Sequence, residues 1–126
     1  MPKKTVAVLG ASADRSKFSN KAVRAYLKQG WDVFPINPKG GEIEGLTAYR
    51  SLADVPVRID RVTLYLPPAL GLNVLPDLAK AKPAEFFVNP GAESDELLTK
   101  AENLGLHPIA ACSIVDIGVT PAQFPG

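Results

Sequence analysis

Two short apolar runs, each cut off by a tight polar loop, set the architecture of this chain. Val6-Ala7-Val8-Leu9 stops at Gly10-Ala11-Ser12, and Val33 to Ile36 stops at Asn37-Pro38-Lys39-Gly40-Gly41. Between them, from Asn20 to Gln29, Ala22, Val23, Tyr26 and Leu27 recur at helical spacing, and Gly30 stands where a helix C′ residue belongs. Uninterrupted apolar runs suit strands buried on both faces of a parallel sheet. Strand, polar loop, helix and strand form the first half of a nucleotide-binding βαβ unit.

The rest of the chain continues the alternation. Strands are expected at Thr5 to Leu9, Trp31 to Ile36, Arg61 to Leu66, Glu85 to Val88 and His107 to Ala111. Glu42 to Ala48 reads as a small hairpin or irregular excursion around Gly45, and Ser51 to Val55 as one helical turn. Val74, Leu75, Leu78 and Ala79 share a helical face. Pro76 is placed in or near that helix's first turn, because proline is poorly tolerated in a helix interior, and the helix runs to about Ala81. Leu97, Leu98, Ala101 and Leu104 form the stripe of a third main helix closed by Gly105, and Asp116 to Gly126 is expected as an extended tail. Each crossover between parallel strands must travel the length of the sheet, which the intervening helices provide. The expected fold is therefore α/β: a Rossmann-like, doubly wound, five-stranded parallel sheet of order 3-2-1-4-5, in a single domain spanning residues 1–126.

Charge and composition exclude several function classes. The 14 basic and 13 acidic residues nearly cancel, so nothing marks a partner in nucleic acid or an anionic membrane surface. No apolar stretch reaches the roughly 20 residues that span a bilayer, and Met1-Pro2-Lys3-Lys4 is not followed by a signal-type apolar region. A lone Cys112 excludes an internal disulfide framework and fits a reducing compartment, so a cytoplasmic location is expected. The sequence is compatible with a homodimer or with an unidentified protein partner.

In a doubly wound sheet the ligand lies outside the carboxyl ends of the strands. The loops expected there are Gly10 to Phe18, Asn37 to Gly41, Leu66 to Ala69 and Asn89 to Glu93. Gly10 removes a side chain where a phosphate would approach, Ser12 adds a hydroxyl, and the first helix offers unpaired N–H groups and its dipole. Arg15, Ser16 and Lys17 supply charge or donors. The full three-glycine dinucleotide fingerprint is missing, and a strand-to-helix turn that needs one glycine explains Gly10 equally well. Lys39 shifts the balance. NAD-binding sheets place a carboxylate after the second strand, whereas Asn37-Pro38-Lys39 offers an ammonium, suited to a ribose phosphate as in NADP (2′) or coenzyme A (3′). The competing account is a solvated loop lysine. Pro67-Pro68 and Asn89-Pro90-Gly91 would wall the path of the ligand, or serve as ordinary turns.

With these loops in place the chain resembles the small single-domain CoA-binding proteins, and is similar to the N-terminal CoA-binding domain of the succinyl-CoA synthetase alpha subunit. The resemblance runs from Val6 to about Cys112. It is carried by Val6 to Ser12, Val33 to Gly40, Tyr49-Arg50-Ser51-Leu52-Ala53-Asp54-Val55-Pro56, and Asn89-Pro90-Gly91-Ala92-Glu93-Ser94. It implies that the CoA phosphates meet Gly10, Ala11, Ser12 and Ala13, that the lysine after the second strand is Lys39, and that the loop after the fourth strand is Val88 to Gly91. Pro67 and Pro68 match the family's proline-containing turn. The chain departs from the small proteins after Cys112, where Ser113-Ile114-Val115-Asp116 replaces a lysine and acidic pattern. Gly118-Val119-Thr120-Pro121 is closer to the synthetase-like ending. The synthetase's phosphohistidine belongs to another domain of that protein, and His107 does not match it.

No catalytic set stands out. One histidine and one cysteine cannot build a multi-His or multi-Cys metal site. Cys112 reads as a small buried hydrophobe or as a thiol near the cofactor edge, and His107 as a surface residue rather than a base. Glu93 and Asp95 favour the start of a helix in any case. The expected function is a stand-alone binder of coenzyme A or an acyl-CoA, with a set drawn from Gly10, Ala11, Ser12, Ala13, Arg15, Lys17, Asn37, Pro38, Lys39, Pro67, Pro68, Asn89, Pro90 and Gly91. The alternatives are an NADP-binding, reductase-like domain or a component of an acyl-CoA ligase.

Overall fold

In a computed structural model, which describes residues 3–126, five parallel strands form one sheet. They are β1 (Thr5–Leu9), β2 (Asp32–Ile36), β5 (Arg61–Leu64), β6 (Glu85–Val88) and β7 (Pro108–Ala110), and a two-stranded hairpin of β3 (Glu42–Ile43) and β4 (Leu46–Thr47) follows β2. The helices are α1 (Phe18–Lys28), α2 (Pro68–Ala81), α3 (Asp95–Asn103) and the short α4 (Ser113–Asp116). Two 3₁₀ turns complete the elements, at Leu52–Asp54 and Pro121–Gln123. No helix among the described residues is long and apolar enough to cross a membrane.

The α/β class, the parallel sheet and the winding of helices on both faces are as the sequence predicts, but the strand order is not. It runs β2-β1-β5-β6-β7, which is 2-1-3-4-5 among the main strands and not 3-2-1-4-5. Pro35 explains the difference. The Pro35 carbonyl accepts from Tyr49 N–H on the outer side of β2, so the N–H that proline lacks would also face outward. A strand with that gap belongs at an edge. β2 therefore cannot sit between β1 and another full strand, and the next strand crosses back to pair with β1 on its free side.

Each face of the sheet carries its own core. Alternation along the strands sends Ala7, Leu9, Val62, Leu64, Phe86 and Val88 against Leu75 and Leu78 of α2 and Leu97 and Ala101 of α3. The opposite residues, Val6, Val8 and Val33, meet Ala22, Val23 and Tyr26 of α1, with Ile114, Val119 and Phe124 from the end of the chain.

Other boundaries moved for local reasons. α2 begins at Pro68 and holds Pro76 in its interior, not in its first turn. Pro68 is favoured at the first helical position, and Pro76 lies on the exposed face, where water can take the freed carbonyl. α1 starts two residues before Asn20. β5 stops at Leu64, so Tyr65 and Leu66 belong to the loop that follows. Ser94 caps α3 by accepting from Leu97 N–H. The expected extended tail instead contains the end of α4 and a 3₁₀ turn fixed by a Thr120–Gln123 capping box.

Candidate functional site

Because β2 and β5 flank β1, the chain winds away from β1 in both directions, and a crevice opens at the carboxyl ends of β1 and β5. A cleft of about 470 Å³ lies there. Gly10 forms its floor, Lys17, Phe18 and Ser19 come from the start of α1, Tyr65, Leu66 and Pro67 follow β5, and Pro90, Gly91 and Ala92 follow β6.

Gly10 is required twice over. Its φ is +85°, and a Cβ there would stand 3.1 Å from both the Tyr65 carbonyl carbon and the Leu66 Cδ2. The chain next turns through Ala11, whose N–H donates to Ile36 O, and reaches a loop with its own hydrogen bonds. Asp14 N–H donates to Ser12 Oγ, and the Ser16 amide and hydroxyl both donate to Asp14 Oδ1. The Ser16 hydroxyl, then its amide, hold the Asp14 carboxyl below the usual aspartate range. α1 has no side-chain cap, and its first N–H groups, at Phe18 and Ser19, face no acceptor among the described residues and lie beside the cleft. Those amides and the exposed Lys17 make the α1 end of the cleft electropositive. The remaining walls, from Phe18, Leu66, Pro67, Pro90 and Ala92, are mostly apolar.

All of the expected residues but Pro68 and Asn89 divide into three groups. Gly10, Lys17, Pro67, Pro90 and Gly91 line the cleft. Ala11, Ser12, Ala13 and Arg15 form its first loop; Ala11 is buried, Ala13 is exposed, and Arg15 is drawn toward Glu44, 3.7 Å from Nε to Oε2. Asn37, Pro38 and Lys39 lie off the cleft on the β2 side. Asn37 Nδ2 donates to Ala11 O while its Oδ1 accepts from Lys39 N–H, so this amide fastens the second loop to the first. Lys39 is exposed.

Two of the expected residues have other work. Pro68 starts α2 and is not part of the cleft wall. Asn89 is only 1% exposed; its Nδ2 donates to Thr63 Oγ1 and Leu64 O, and its Oδ1 accepts from Ser113 N–H. Its side chain ties β5 and α4 together behind the cleft, with no donor left for a ligand.

Several residues near the site escaped the sequence reading. Arg50 lies against Gly40, where a Cβ would stand 3.3 Å from the Arg50 Nε, which sets a second cation beside Lys39's loop. It follows Tyr49, whose bridge to Ile36 closes the edge of β2. Phe18, 61% exposed at the cleft mouth, is the last residue of the expected first loop, whereas Ser19 lies outside every expected loop because the helical spacing places the helix start at Asn20. Asn20, fully buried beneath the first loop, could have been flagged as a polar residue on the helix's apolar face. Among the described residues no cluster of three or more His, Cys, Asp or Glu could hold a metal ion.

The comparisons with known proteins point the same way as this geometry. A family model described as a CoA binding domain matches residues 4–118. The chain is 31% identical to the acetate–CoA ligase [ADP-forming] I subunit alpha of Pyrococcus furiosus over 96% of this chain and 29% of that protein, so it spans under a third of this curated relative. Two solved structures share the fold at nearly full length. One is a conserved hypothetical protein from Pyrococcus furiosus, with TM-score 0.80 and 32% identity over 91% of this chain and 99% of that one. The other is a hypothetical protein from Pyrococcus horikoshii OT3, with TM-score 0.84 and 27% identity over 98% and 85%. By its sequence match and its sheet, this chain belongs to the CoA-binding domain family.

Proposed function

We propose that this chain binds coenzyme A or an acyl-CoA in the cleft at the ends of β1 and β5, as a binding protein without a catalytic set of its own. The observation that carries the reading is the pairing of a side-chain-free floor at Gly10 with the open amides of Phe18 and Ser19. A diphosphate fits that pairing, because backbone N–H groups at a helix start favour anions. The diphosphate lies over Gly10 to Ala13, with Lys17 alongside. The 3′-phosphate of the ribose falls on the β2 side, where Lys39 and Arg50 supply two cations on adjoining segments. The pantetheine arm runs the other way, between Leu66-Pro67 and Pro90-Gly91-Ala92, whose apolar surfaces suit a largely uncharged chain. Asn37 serves this site by holding the two phosphate loops together.

A second reading, as a component of an acyl-CoA ligase, is supported by the relation to the ligase alpha subunit. It keeps the same ligand and adds a partner chain. Titration calorimetry and thermal unfolding with CoA, dephospho-CoA, NADP and NAD test the assignment. At 100 times its Kd a true ligand adds about 2.7 kcal/mol of stability. The expected order is CoA, then dephospho-CoA, with little response to NAD. A stronger response to NADP than to CoA overturns the assignment in favour of a reductase-like domain, and no response to any of the four rejects nucleotide binding.

A further inference from the structure

The first loop is held from behind by a single guanidinium. Arg24, the seventh residue of α1, makes four hydrogen bonds: Nε to Asn20 Oδ1 at 2.8 Å, Nη2 to Arg15 O at 2.9 Å and to Phe124 O at 3.0 Å, and Nη1 to Pro125 O at 2.9 Å. A planar fork with five N–H donors can serve such a set, and a lysine cannot. Asn20, oriented by Arg24, donates in turn to Ser12 O at 2.9 Å and to Glu44 Oε2 at 3.2 Å. Within a trans peptide, C=O and the next N–H point in opposite directions. Drawing the Ser12 carbonyl inward to Asn20 therefore turns the Ala13 N–H outward.

The same guanidinium also grips the end of the described chain. Phe124 is buried, with Arg24 and Lys28 each 5.9 Å from its ring centre. Gly126 lies directly on the first loop, where a Cβ would come within 2.5 Å of Ser16 Cα. Loop and tail thus share one polar network.

We infer that Arg24 is a positioning residue for the anion loop and that it couples this loop to the segment from Val119 to Gly126. The inference rests on the reading that a diphosphate lies on the first loop. Coupling between sites is reciprocal: if tail docking sets the loop for the diphosphate, the bound diphosphate must also hold the tail down.

The test uses the full chain with Arg24→Met, Arg24→Lys and Phe124→Ala. Three ligands divide the site: CoA, dephospho-CoA, and adenosine 3′-monophosphate, which lacks the diphosphate. Arg24→Met is expected to weaken CoA and dephospho-CoA about tenfold, within the usual span of coupling between sites, and to leave adenosine 3′-monophosphate unchanged. Arg24→Lys does not restore binding. Phe124→Ala leaves every hydrogen-bonding group of α1 in place, and amide exchange is expected to quicken both in residues 120–126 and in Ser12 to Lys17. In the unaltered protein, CoA slows exchange in 120–126. Equal losses for all three ligands with Arg24→Met would reduce Arg24 to a structural role. A tail freed by Phe124→Ala with unchanged loop exchange and CoA affinity would overturn the coupling. If the unaltered protein fails to bind CoA, the functional reading falls, while the ligand-free exchange comparison still decides whether loop and tail are linked.

Discussion

Arg61 and Glu85 are register partners at the start of two adjacent parallel strands, joined by two hydrogen bonds of 3.2 and 2.8 Å. The guanidinium is buried, packs 4.4 Å from the Phe87 ring centre and 5.0 Å from that of Trp31, and also reaches Asp116 Oδ2 at 2.8 Å. It thereby pins α4 to the sheet at the end opposite the cleft. Arg61→Met would free two carboxylates that are already partly exposed and can rehydrate. The expected loss is about 2–3 kcal/mol, below the cost of stranding fully buried charges. Urea denaturation measures it. CoA affinity should not change, and a parallel fall in affinity would contradict the separation of the two ends.

Gly10→Ala tests the cleft floor. The substitution combines a left-handed backbone with a Cβ pressed on Tyr65 main chain, so a loss of about 2–3 kcal/mol is expected. Binding of CoA should disappear at ligand concentrations that saturate the parent. Calorimetry on the folded variant distinguishes lost binding from lost structure.

Lys39→Ala and Arg50→Ala each probe the 3′-phosphate. Either change should weaken CoA several-fold to about tenfold and leave dephospho-CoA almost untouched, as expected when one charge-assisted contact is removed. The difference should shrink as salt rises. Equal effects on both ligands would place the 3′-phosphate elsewhere.

Tyr65 carries a buried hydroxyl with no hydrogen-bond partner, although the Thr63 and Ser113 hydroxyls, paired with each other at 2.7 Å, lie close by. Burial lifts the Tyr65 phenol above the ordinary tyrosine range, and burial does the same for Tyr26 despite opposing hydrogen bonds from Ser113 and Arg61. In the unfolded chain both ionise near pH 10. Above that pH the unfolded state binds fewer protons than the folded one, so stability is complete below about pH 10 and falls as pH rises further. Tyr65→Phe should flatten this alkaline loss. It should also raise stability near neutral pH by up to about 1 kcal/mol, because an unpaired buried hydroxyl is removed. Unfolding curves from pH 7 to 11 provide the comparison.

The parts of this fold that could be read in the sequence are those written in local chemistry. Val6 to Leu9 and Val33 to Ile36 state their burial in their composition, and Gly10 and Gly30 mark turns with φ near +85° in the structure. What stayed hidden depends on partners distant in sequence. Asn89 looks like a loop residue until Thr63, 26 positions away, takes its amide proton. Arg24 looks like a solvated helix cation until carbonyls 100 and 101 positions later close around it. Pro35 is the exception. Its missing N–H was visible in the sequence and argues for an edge strand, yet the apolar run around it suggested an interior one.

That proline has a consequence for how copies of this chain can meet. Pro35 cannot donate, and Tyr49 already occupies its carbonyl, so the β2 margin is blunted against an incoming strand. At the other margin Ala111 N–H turns toward β6, which leaves Pro108, three positions earlier and so out of phase with it, facing the free side of β7 with no N–H to offer. Among the described residues both edges of the five-stranded sheet thus carry an outward proline, which opposes strand-to-strand joining of one molecule to the next.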